Sequence, residues 1–356
     1  MALMLPRPEP AAGLIAYEQE LDARLRFDPR CAENWERYRA AGHRAAEVDY
    51  LPVKLDVENV SRCNFACTMC AVSTWPKRQR AADMTLDAFK ALIDEQYGLV
   101  EIKLNGLGEA LMQGDDYFAM IRYARERRIW VRMTTNASLL HLRENVRKLI
   151  ESGVNEIDIS IDGSDRGIFE RIRVGGDFDQ VTRNCGRLNA ALAEAGRPSA
   201  KMWTLVQKAN CDDLPQHVWL AAELGFQHLV FSTQLHGWGD DALAARNAGE
   251  EVGLGEEEAR LLVALGSRKG VRVAFWDVSQ KFEAKPGKRC PWPFSRAVVT
   301  SDLRTVPCCM IGNPDAFEIG AGKQFGENWL GAEYTEFRQA HLDGEIPAVC
   351  RSCYKP

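Results

Sequence analysis

Several things are missing from this 356-residue chain, and each absence removes a class of function. The N-terminus, Met1-Ala-Leu-Met-Leu-Pro-Arg-Pro-Glu-Pro10, has no apolar core of an export signal. No apolar run approaches the roughly 20 residues of a membrane-spanning helix. The expectation is therefore a cytoplasmic protein that meets no membrane. Positive charge is not in excess: 45 lysines and arginines face 50 aspartates and glutamates, a net of −5, which leaves no footprint for a long nucleic acid. A local basic run, Arg122, Arg125, Arg127, Arg128 and Arg132, falls on a predicted helix and the strand after it, and reads as a solvated face. The chain also lacks any repeat of fixed period and any low-complexity tract.

Cysteine is present in quantity, eleven in all, and without an export signal these argue against a disulfide scaffold. Seven fall into two sets with ligand-like spacing, at 63, 67 and 70 and at 290, 308, 350 and 353. The other four need no common explanation, since free cysteine is often a small buried hydrophobe.

Residues 1–50 read as an N-terminal helical extension, with Tyr17, Leu21, Leu25, Trp35 and Tyr38 at helical spacing and Pro29 separating two helices. The extension carries no strand signal and is short for a winged-helix peptide-binding module, so its expected role is to cap the open bottom or side of the adjoining domain. From 51 to 235 strands alternate with helices. The strands are expected at Val53–Val57, Val100–Asn105, Trp130–Thr135, Glu156–Ile161, Lys201–Val206 and His228–Ser232. The helices are expected near 85–96, 115–128, 141–151, 177–195 and 212–224, with Thr85, Asp115 and Asp212 in capping positions. Six such units in series imply an α/β fold, a partial (β/α)6 TIM-like barrel with a parallel sheet and helices outside. Chemistry in such barrels sits at the C-terminal ends of the strands. Residues 236–289 form a connecting segment: a loop, His236-Gly-Trp-Gly-Asp-Asp241, a helix near 255–268 and a short strand, Val271–Trp276. From Cys290 to 356 a small cysteine-bound appendage holds a hairpin-like pair, Arg296–Thr300 and Arg304–Val306, and a helix near 332–341.

The first cysteine set lies directly after the first strand, as Cys63-Asn-Phe-Ala-Cys67-Thr-Met-Cys70. A cube of four irons and four sulfides takes one thiolate per iron, so three cysteines leave one iron open to an outside ligand. A zinc knuckle short of its fourth ligand, or three unrelated cysteines, would share the spacing. The second strand ends in Gly106-Leu-Gly108-Glu109, where glycines let a backbone approach a ligand closely. The third runs into Thr135-Asn136, the fourth into Ser160-Ile-Asp162, and Arg173 comes after them. Polar residues at strand ends commonly just cap and turn, but four such matches in succession make accident a poor account.

Taken together, these segments resemble the radical S-adenosylmethionine (SAM) enzymes over residues 51–235. The resemblance implies that Cys63, Cys67 and Cys70 hold a 4Fe–4S cluster whose open iron binds SAM. It further implies SAM contacts from Met69, Gly106, Gly108, Glu109, Thr135, Asn136, Ser160, Asp162 and Arg173. The family's first motif glycine is replaced by Leu107. Beside such a core, Cys290, Cys308, Cys350 and Cys353 resemble a twitch domain, the shortened relative of the SPASM domain, with one auxiliary 4Fe–4S cluster; four thiolates would equally suit zinc. Reduction of the cluster implies a partner such as flavodoxin or ferredoxin. Cys309 stands free beside the second set, as a packed thiol or as a hydrogen donor in an epimerase. His236 and Asp240 end the sixth strand, where they serve as base, substrate ligand or plain loop caps. The favoured substrate is a polyhydroxylated small molecule, oxidised with the auxiliary cluster as electron acceptor; the alternative is a precursor peptide undergoing maturation.

Overall fold

Seven short strands with aliphatic residues at every second position run parallel: β1 (Lys54–Val57), β2 (Glu101–Leu104), β3 (Trp130–Thr135), β4 (Glu156–Ser160), β5 (Lys201–Leu205), β6 (His228–Ser232) and β7 (Arg272–Trp276). The computed structural model describes residues 5–281 and 289–354, so the first four residues of the N-terminal stretch, 282–288 of the connecting segment and the last two residues lie outside it. The expected six-stranded sheet is present and is extended at both edges. The strand from the connecting segment becomes β7 beside β6. Strand β8 (Arg296–Val299) pairs parallel with β1 and carries β9 (Thr305–Val306) antiparallel beyond it. The hairpin expected in the appendage is therefore an edge of the same sheet.

Helices α1 (Leu14–Phe27) and α2 (Pro29–Ala41) precede the sheet. Helices α3 (Leu86–Glu95), α4 (Asp115–Glu126), α5 (Asn145–Ser152), α6 (Arg166–Ile172), α7 (Phe178–Glu194) and α8 (Leu214–Glu223) lie between its strands. Helices α9 (Asp241–Ala248) and α10 (Glu256–Lys269) come after β6, and α11 (Phe325–Trp329) and α12 (Ala332–Asp343) after β9. Thr85 caps α3 as expected, its hydroxyl accepting from Ala88 N. Asp115 and Asp212 do not cap. Gly114 holds the cap position of α4 and frees Asp115 to pair with Lys148. Asp212 lies inside a short 3-10 turn that ends at Asp213.

Because strand side chains alternate, Leu55, Val57, Ile102, Leu104, Val131, Met133, Ile157 and Ile159 all face the helices and are buried in one core. The other parity faces inward. There the in-register residues of neighbouring strands form charged rows: Arg296, Lys54, Glu101; then Asp56, Lys103, Arg132, Glu156; then Asp158, Lys201. Arg132 lies 3.6 Å from Glu101, 3.6 Å from Glu156 and 3.4 Å from Asp158. Lys54 pairs with Glu101 and Lys201 with Glu156. Arg132, placed on a solvated face by its sequence neighbours, is thus a tie across three strands.

The N-terminal helices close the lower end of this inner face. The Tyr17 hydroxyl donates to Glu101 Oε2 at 2.8 Å, and its ring meets Trp130 edge-on at 5.1 Å. Arg24, almost fully buried, donates to the carbonyls of Leu99, Arg127 and Tyr97, just before β2 and β3 begin. At the β7 edge, Phe275 N donates to Pro6 O, so an N-terminal residue covers an open strand.

Burial alone would raise the Glu101 carboxyl, but Lys54, Arg132 and Arg296 around it outweigh burial and hold it well below the usual carboxylate range. Its stabilisation is therefore complete above about pH 4.3 and is lost as pH falls through the lower native value. Glu101→Gln should lower stability at pH 7 by about 1–3 kcal/mol, because the half-buried Lys54 and Arg132 lose a shared partner. Chemical denaturation at neutral and acid pH checks this: the deficit should shrink in acid, and a deficit that grows there contradicts it.

Candidate active site

The segment Cys63–Cys70 belongs to no helix or strand, so its polar groups find partners elsewhere. Ala66 N donates to Val174 O and Thr68 N to Ile172 O, which tie it to the end of α6. Cys63 N donates to Arg78 O at 3.2 Å. Asn136 Nδ2 reaches Asn64 Oδ1 at 3.0 Å and Cys63 Sγ at 4.0 Å, and Asn64 Nδ2 reaches the Ser138 hydroxyl at 2.9 Å. From the far side, Arg246 and Asn247 of α9 donate to the carbonyls of Thr68 and Met69, both at 2.9 Å. Cys63, Cys67 and Cys70 are thereby held on one short arc.

Burial pushes all three thiols up, Cys63 to about 12 with Glu109 adding to the shift, and Cys70 to about 11 with Cys67 adding. Such thiols become thiolates only when a cationic centre takes them. Among the described residues no three His, Cys, Asp or Glu side chains converge as a single metal ion requires. A cubane spreads its thiolates over separate irons, so an open arc of three cysteines fits it better than a zinc ion.

Around the arc, Glu109 is 3 % exposed and its carboxylate accepts from Thr135 Oγ1 at 2.6 Å, Asn136 N at 2.8 Å and Leu111 N at 3.4 Å. Burial raises its carboxyl against these three donors. It organises the Thr135-Asn136 turn rather than standing free. The two glycines also serve the chain itself. A Cβ on Gly106 would overlap the Glu58 side chain, and one on Gly108 would lie 2.5 Å from the carbonyl oxygens of Val60 and Arg62. They let the β2 turn lie flat against the chain entering the cysteine arc.

Asp162, expected to reach SAM, is fully enclosed; it accepts from Leu205 N at 2.8 Å and from Arg173 Nε at 2.6 Å. So held, Arg173 points Nη1 at Cys67 Sγ, 3.8 Å away. Ser160 stays partly exposed on the inner face beside Trp203. Met69 is buried beneath its arc. Asp240 is an exposed helix cap, accepting from Leu243 N at 2.9 Å. His236 lies edge-on to Trp238 at 5.7 Å, and its carbonyl accepts from Asn247. Sequence reasoning missed Asn64, Ser138, Arg246 and Asn247. Asn64 sits inside the cysteine motif and could have been found; the α9 pair lies 178 residues from its partners and carries no local signal.

The second cysteine set gathers around two tyrosines. Burial pushes the Tyr334 hydroxyl up and Arg338 opposes it, while Cys308, Cys290 and Cys350 lie close enough to push further. Burial likewise raises Tyr354, with Cys290, Cys350 and Cys353 acting on it and Cys290 N donating to its oxygen at 3.0 Å. All four thiols thus share one neighbourhood. Cys309 packs with Cys308 against Val298, Val306 and Ile311. Its thiol, raised by burial, lies near Asp56, Cys308, Lys103 and Arg296.

The Radical SAM superfamily model matches residues 60–196. The mycofactocin maturase MftC of Mycolicibacterium smegmatis is 28 % identical over 198 residues, 55 % of this chain and 46 % of that protein, so the match spans about half of that relative. The PqqA peptide cyclase of Rhodopseudomonas palustris is 24 % identical over 322 residues, 86 % of this chain and 81 % of that protein. Streptococcus suis SuiB bound to precursor peptide SuiA shares the fold with a TM-score of 0.61 at 13 % identity, over 84 % of this chain and 68 % of that one.

The geometry makes two outcomes measurable. Anaerobic reconstitution should load about eight irons per chain, and the Cys63/Cys67/Cys70→Ala triple variant about four; a wild type that stops at four with zinc bound contradicts the second cluster. Arg173→Met should destabilise the apo protein by about 3–5 kcal/mol, because Asp162 is left enclosed and charged. Adding Asp162→Asn should recover about half of that loss, and simple additivity in denaturation would show that the two do not act as a pair.

Proposed function

The chain belongs to the radical SAM superfamily, and we propose that it is a peptide maturase that oxidatively joins two positions of its substrate. Its cofactors are SAM and 4Fe–4S clusters. The observation that carries the peptide reading is the match to the PqqA peptide cyclase, which runs through the barrel and on toward the C-terminal cysteines. A polyhydroxylated small molecule, favoured from the sequence, has less support, because these relatives are a maturase and a peptide cyclase.

Cys63, Cys67 and Cys70 would hold the SAM-binding cluster, and Cys290, Cys308, Cys350 and Cys353 the auxiliary one. When bound, the clusters supply the electron that cleaves SAM to methionine and a 5′-deoxyadenosyl radical, and an acceptor for the electron left over later. The chain's own residues do the rest. Asn136 and Arg173 donate toward Cys63 and Cys67, which favours the thiolate form of each. The Thr135-Asn136 turn and the Gly106–Glu109 turn form the wall beside the arc. The balance is that of an oxidative coupling. One substrate C–H hydrogen leaves as 5′-deoxyadenosine, a second hydrogen leaves as a proton, one electron goes to the acceptor, and one bond forms. A flavodoxin or ferredoxin supplies the first electron.

Reduced holoenzyme with SAM and the short peptides encoded beside its gene should yield 5′-deoxyadenosine and a peptide lighter by two hydrogens. Cys70→Ala should yield neither. Turnover of a sugar or aminocyclitol with every such peptide unchanged would overturn the peptide reading.

A further inference from the structure

The cysteine arc is open to solvent on one side. Thr68, between Cys67 and Cys70, is exposed, and beside it stand Val174, 44 % exposed, and the exposed Gly175. Three stretches touch the arc from this side: residues 71–79, residues 171–177 and helix α9. Their charged residues are Lys77 and Arg78, then Arg171, Arg173 and Asp177, then Asp241 and Arg246; the arc itself carries none. Arg173 is spent on the enclosed Asp162. Four exposed cations, Lys77, Arg78, Arg171 and Arg246, are left against two exposed carboxylates, Asp241 and the α7 cap Asp177. Among the described residues none of the four is in an ion pair. In the ring beyond them charges stand as neighbours of opposite sign, Arg166 with Asp179 and Lys208 with Glu250, and Glu170 is bound to Phe178 N. A chain with a net charge of −5 therefore shows a local surplus of positive charge over the three thiols.

The backbone marks the same place. Lys77 and Arg78 hold φ of 52° and 56°, a left-handed conformation that successive residues with side chains rarely adopt. The bend brings Arg78 O to Cys63 N at 3.2 Å and the Arg78 guanidinium to Asn64 O at 3.0 Å, and leaves Lys77 exposed on its crest. On the other flank Arg246 reaches Thr68 O at 2.9 Å, two residues from Cys70.

From this juxtaposition we propose that the open side of the arc is the docking surface for the electron donor, a small acidic one-electron carrier protein. The positive charge selects an acidic partner, and its position over the cysteine arc selects a partner that delivers an electron there. Weak redox encounters bury less than about 1,200 Å², which an uncovered loop face can supply. One electron passes per encounter: the reduced carrier loses it, the SAM-binding cluster gains it, and no bond forms or breaks. The surface names the partner of the reductive SAM cleavage proposed above and rests on it, independently of the peptide substrate.

The probes are flavodoxin, an acidic protein, and methyl viologen, a small cation. Oxidised flavodoxin is titrated into anaerobic SAM-loaded holoenzyme by calorimetry, and each reduced probe is mixed with it in stopped flow. Flavodoxin should bind, and both its affinity and its rate of cluster reduction should fall as salt rises. Lys77→Glu and Arg171→Glu should each lower affinity and rate about fivefold at low salt, and together about tenfold or more. All three variants should load the wild-type quantity of iron, and viologen should reduce them at the wild-type rate or faster, because a cation gains from an added carboxylate. A flavodoxin affinity that the double variant leaves unchanged, or that salt does not weaken, overturns the surface. So does a double variant that viologen reduces more slowly, which would place the damage in the cluster. A double variant that keeps flavodoxin and loses the substrate peptides overturns it too, and gives this face to the substrate. 5′-Deoxyadenosine formed by the wild type separates the two failures: if viologen yields it and flavodoxin does not bind, only the surface fails; if neither reductant yields it, the radical reading fails.

Discussion

A loop with no ladder of its own must have its backbone satisfied from outside, and the rest of this structure depends on that. The cysteine arc takes partners from Arg78 just beyond it, from the β3 turn at Asn136 and Ser138, from the end of α6 at Ile172 and Val174, and from α9 at Arg246 and Asn247. Each net bond contributes about 0.5–1.5 kcal/mol, so no single one holds the arc. Their directions matter more: they come from several sides and fix where three sulfurs lie. Asn247 donates to both Met69 O and His236 O, which makes the arc and the loop after β6 one mechanical unit.

The inner face obeys the opposite logic. There side chains are charged where a barrel of this kind could have been filled with aliphatic residues. Enclosed ion pairs are weak evidence for stability, but Arg132 joined to three carboxylates on β2 and β4 sets how those strands lie against β3. Tyr17 closes the lower end of the rows and the N-terminal helices are pinned there by Arg24.

The strands were legible because apolar residues alternate in each, and the arc because three thiols at spacings of four and three have few other uses. A carboxylate after a strand suits a base and a helix cap equally, and the Leu243 N–H shows that Asp240 caps α9. Asp162 and Glu109 lie at strand ends, and their carboxylates are held by Arg173 and by the Thr135-Asn136 turn, partners that the sequence alone does not show. Partners far apart in the chain, Arg246 and Asn247 with Thr68 and Met69, leave no pattern in a single sequence. Arg132 was hidden by its neighbours, since four exposed-looking arginines preceded it.

The central claim is that the arc Cys63–Cys70 holds a cluster with one iron open to SAM. It is tested most directly by electron paramagnetic resonance of the reduced Cys290/Cys308/Cys350/Cys353→Ala protein, which keeps only that cluster. Addition of SAM should change the g-values of the reduced signal, because a new ligand enters at the open iron. A signal of full intensity that SAM leaves unchanged would contradict the account.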